Sequence, residues 1–139
     1  MRLTRFAASK LLLAGSKEEA DARALELLAV RSLLEDGDFV RTLYKEVAAG
    51  WFAKFEDSLK AAVKAGDADR VPSGEETAPL FANALRLGLM LYLRPRKPVV
   101  AVRASRERIV ERCVWFILLG AGVKAEAIRR HYGAPGLEG

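Results

Sequence analysis

At 139 residues, 51% of them apolar, the chain is long enough to bury one core and too apolar to remain disordered. Its formal net charge of +5 is unevenly spread: residues 1–79 carry 12 Lys/Arg against 14 Asp/Glu, whereas residues 80–139 carry 11 against 4. One cysteine, Cys113, excludes an internal disulfide, and the longest apolar run, residues 80–93, is 14 residues long, short of the ~20 that a membrane span needs.

The N-terminus begins like a charged leader, but Lys10 interrupts the run and residues 11–13 are too short for its apolar segment. A reducing, cytoplasmic setting without a membrane segment is therefore expected. Thr4 caps a first helix through residue 14, stopped by Gly15. Ser16 and Glu19 form a capping box for a second helix to about Glu35, apolar over a wide arc and suited to the inside of a bundle. Asp36-Gly37-Asp38 breaks it, with Asp38 as the next cap. Residues 39–65 continue in helical period, Gly50 marking a kink or a close crossing, and Trp51, Phe52 and Phe55 reading as core rather than as a base-stacking platform.

Residues 66–78 form the clearest loop and the natural place for a boundary between an acidic and a basic half of one domain. Its Asp67, Asp69, Glu75 and Glu76 lack the spacing of a calcium loop. Thr77 and Pro79 open a helix over residues 80–93 that is apolar nearly all round. Such a helix is either the central rod of the bundle or half of an interface between copies.

Arg94-Pro95-Arg96-Lys97-Pro98 cannot be helical, because each proline disfavours helix in the residue before it. Residues 99–103 then look extended or strand-like, with no second strand in the chain to pair with. Val99, Val100 and Val102 belong either to a linker or to a strand that pairs outside its own chain. Ser105 caps a helix to Leu119 that opens on Arg106, Arg108 and Arg112, against the preference of a helix N-terminus for anions. Cys113, Trp115 and Phe116 read as core. The expected architecture is all-α: one bundle of about five to six helices with a short extended segment near residues 99–103.

Leu118-Leu119, then Gly122, then Ile128-Arg129-Arg130, then Tyr132-Gly133 give residues 106–133 a spacing that resembles a helix-turn-helix. Lys124 stands where that pattern has a capping Ser or Thr, and the chain reaches Gly139 where the pattern would place its recognition helix. In a second alignment, residues 123–132 are themselves the reading helix. The resemblance implies a transcription-type regulator. Independently, Arg94, Arg96, Lys97, Arg103, Arg106, Lys124, Arg129 and Arg130 are the candidate contacts to an acidic partner. That partner is either nucleic acid or a protein of a nucleic-acid machine such as RNA polymerase, docked through the basic linker and residues 99–103. No carboxylate pair, phosphate loop, metal cluster or triad spacing is legible, so neither catalysis nor a cofactor is expected.

Overall fold

A computed structural model of the chain describes residues 17–72, 74, 76–93 and 100–132. The proposed first helix at residues 4–14, the Ser16 cap, the Arg94–Pro98 linker with Val99, and everything from Gly133 on lie outside the described residues.

The protein is all-α. Its helices are α1 (Lys17–Leu34), α2 (Asp38–Leu43), α3 (Ala49–Lys64), α4 (Ala78–Leu93), α5 (Arg106–Gly120) and α6 (Ala125–Tyr132). A π-helical turn, Tyr44–Ala48, joins α2 to α3 without a break. No strand occurs among the described residues; the one β-type contact is an isolated antiparallel bridge, Ala68 with Val123. Residues 100–104 are non-helical and Val100 and Val102 are exposed.

The chain divides into two compact units, one of residues 13–54 and the other holding residues 55–139. In the first, buried Ser32 organises the turn between α1 and α2. Its carbonyl accepts from Gly37 N at 2.8 Å and its hydroxyl oxygen from Val40 N at 3.2 Å. Asp38 is not the cap. Gly37 holds that position with a left-handed φ of 78°, and the Asp36 carboxylate accepts from Asp38 N at 3.0 Å, an Asx turn. The irregularity in the long helix is the π turn, not Gly50, which has open space around it and no close crossing. Tyr44 and Trp51 each meet Phe52 edge-on, with centroids 5.1 and 5.3 Å apart. Contrary to its wide apolar arc, α1 is not enclosed: Leu25, Leu27, Leu28 and Leu34 are exposed, and among its described side chains only Ala29 and Ser32 are buried.

The second unit holds the core. Phe55 and Leu59 of α3, Ala78 and Ala82 of α4, Val110, Val114, Trp115 and Leu118 of α5, and Ala127 and Ile128 of α6 are all buried. Ile128 is wholly inaccessible, and burying such a side chain contributes about 1.5–3 kcal/mol. Two helix ends are built alike. After α3, Gly66 (φ 76°) lets Asp67 N reach back to Ala62 O at 2.9 Å; after α5, Gly122 (φ 88°) lets Val123 N reach Leu118 O at 2.9 Å. Both are glycine-closed Schellman ends. The segments leaving them then lie antiparallel, with Asp69 N donating to Gly122 O and Lys124 N to Asp67 O, each at 2.9 Å. The loop that the charge pattern marks as a boundary is thus tied into the second unit by backbone hydrogen bonds.

The apolar helix α4 is not a central rod. Its first turn is buried through Ala78, Pro79 and Ala82, while Leu80, Phe81, Leu85 and Tyr92 are exposed. On α5 the alternation is as sharp: Trp115 is buried, but neighbouring Phe116, expected in the core, is 69% exposed.

Candidate binding surface

Ser105 does cap α5. Its backbone is extended and its hydroxyl oxygen accepts from Arg108 N at 3.3 Å. Glu107 in that first turn has its carboxyl held below the ordinary value of 4.5, by its own backbone N–H first and then by the Ser105 hydroxyl. The arginines therefore share the N-terminal turns of α5 with an anion that accepts from its own backbone N–H.

Among the described candidate cations, Lys124 and Arg130 are paired with carboxylates. Lys124 Nζ donates to Gly66 O at 2.9 Å and lies 3.4 Å from an Asp69 carboxylate oxygen. It closes the C-terminal end of α3, where a cation is favoured. Arg130 Nη2 donates to Asp67 Oδ1 at 3.0 Å, and His131 Nε2 is 3.8 Å from Asp67 Oδ2. Two of the eight candidates thus spend their charge on the 66–69 loop. Arg103 and Arg129 are exposed with no carboxylate partner among the described residues, and so is Arg112, which the candidate set omits. Arg106 is half-buried with its Nε shielded from solvent. Arg94, Arg96 and Lys97 lie outside the described residues.

The acidic loop residues Asp67 and Asp69 serve as partners for Arg130 and Lys124. Cys113 is half-buried, and burial pushes its thiol up, which keeps it protonated and a poor nucleophile at neutral pH.

What the charge pattern did not reveal is an apolar recess of about 300 Å³ between α4 and α5. It is lined by buried Ala78, Ala82 and Ala121, by exposed Gly120, and by Phe81, Leu85, Phe116 and Ile117. Phe81 is 57% exposed and Phe116 69%. The sequence signal for it was the all-round apolar character of residues 80–93, which exceeds what one buried stripe requires. Every lining residue is apolar, so the recess offers no side-chain group to orient a polar small molecule. It is suited to receiving other apolar side chains.

Among the described residues no helix is long and apolar enough to cross a membrane. No known family model matches the chain, and comparisons with curated proteins and with solved structures return no match.

Proposed function

We propose that this chain is a non-enzymatic adaptor or regulator that docks on a protein partner, of the kind found on nucleic-acid-handling machines, through its C-terminal half. The observation that carries this reading is the apolar recess between α4 and α5, walled by exposed Phe81 and Phe116. Apolar surface left in water at a concave site is the mark of a binding surface. Exposed Val100 and Val102 offer a separate apolar segment for docking, and pairing with an external strand there is part of the same reading.

A second reading, direct association with nucleic acid, is favoured by exposed Arg103, Arg112 and Arg129, which have no carboxylate partner among the described residues. As a helix-turn-helix, the chain would use α6 as its reading helix, but that helix has Arg130 committed to Asp67. Contacts to phosphates give affinity that falls steeply with salt. Mobility shift of single- and double-stranded DNA and RNA across a salt series separates the readings. The adaptor reading expects no retention at any salt. Retention at low salt that weakens by orders of magnitude as salt rises, and that Arg103→Glu with Arg129→Glu abolishes, would replace it with the second.

A further inference from the structure

We draw no further inference here: the strongest candidate, the apolar recess between α4 and α5 with its exposed Phe81 and Phe116, is lined by no charged residue, and nothing in the structure shows what covers it.

Discussion

Gly122 sits where the neighbouring 69–71 segment leaves no room for a side chain. Its φ of 88° is left-handed, and a Cβ there would collide with the Asp69 carbonyl oxygen and come within 2.8 Å of Val71 Cγ1. Gly66 shares the left-handed backbone (φ 76°) but has open space around it. Gly66→Ala is therefore expected to cost only the conformational penalty of roughly 1–2 kcal/mol. Gly122→Ala should cost clearly more, because the bridge to Asp69 must also open; urea unfolding of both variants measures the difference. Equal losses would mean that the bridge contributes nothing. Glu107 makes a second prediction at this scale. Its folded value is lowered, so its stabilisation is present above the ordinary value of 4.5 and is lost as pH falls through the lowered folded value. The stability difference between the native chain and Glu107→Gln should accordingly be constant near neutral pH and shrink in the acid range. A difference that grows on acidification would contradict the capping assignment.

Among elements, α5 joins the two functions of the fold, since one side of it is core and the other walls the recess. Trp115 is buried, and its indole N–H has no hydrogen-bond partner among the described residues. Trp115→Ala should cost about 3–5 kcal/mol through the lost packing. Trp115→Phe removes the unsatisfied donor and keeps most of the ring, so it should cost less than about 1.5 kcal/mol. Chemical denaturation distinguishes them, and similar losses for both would show that the N–H has a partner after all. Sequence resolved the ends of this helix, because Ser105 and the glycines near position 122 carry local capping chemistry. It did not resolve its sides. Residues 113–119 are nearly all apolar, so no periodicity separates buried Trp115 from exposed Phe116.

For the molecule as a whole, burial is divided unequally between the two units. Among the described residues the unit of residues 13–54 buries only Ala29 and Ser32, whereas the other contains Ile128, Val110, Leu59 and Leu118 at almost no exposure. Local stability follows buried apolar contact. Hydrogen exchange on the full chain should therefore show amides of α5 and α6 protected at least about tenfold more than those of α1, a difference of about 1.4 kcal/mol. Uniform protection across both units would mean that the exposed leucines of α1 are covered in solution.

The sequence by itself determined the helical class and several helix boundaries, because propensity, capping and glycine stops act over a few neighbouring residues. It also located the charge imbalance, which is a property of composition. Only the tertiary structure decided which charges remain available. Asp67 and Asp69 meet Arg130 and Lys124 across some sixty positions of chain, and that meeting depends on two glycine-closed helix ends lying antiparallel. The recess between α4 and α5 belongs to the same class of fact, since a concavity exists only once two helices have packed.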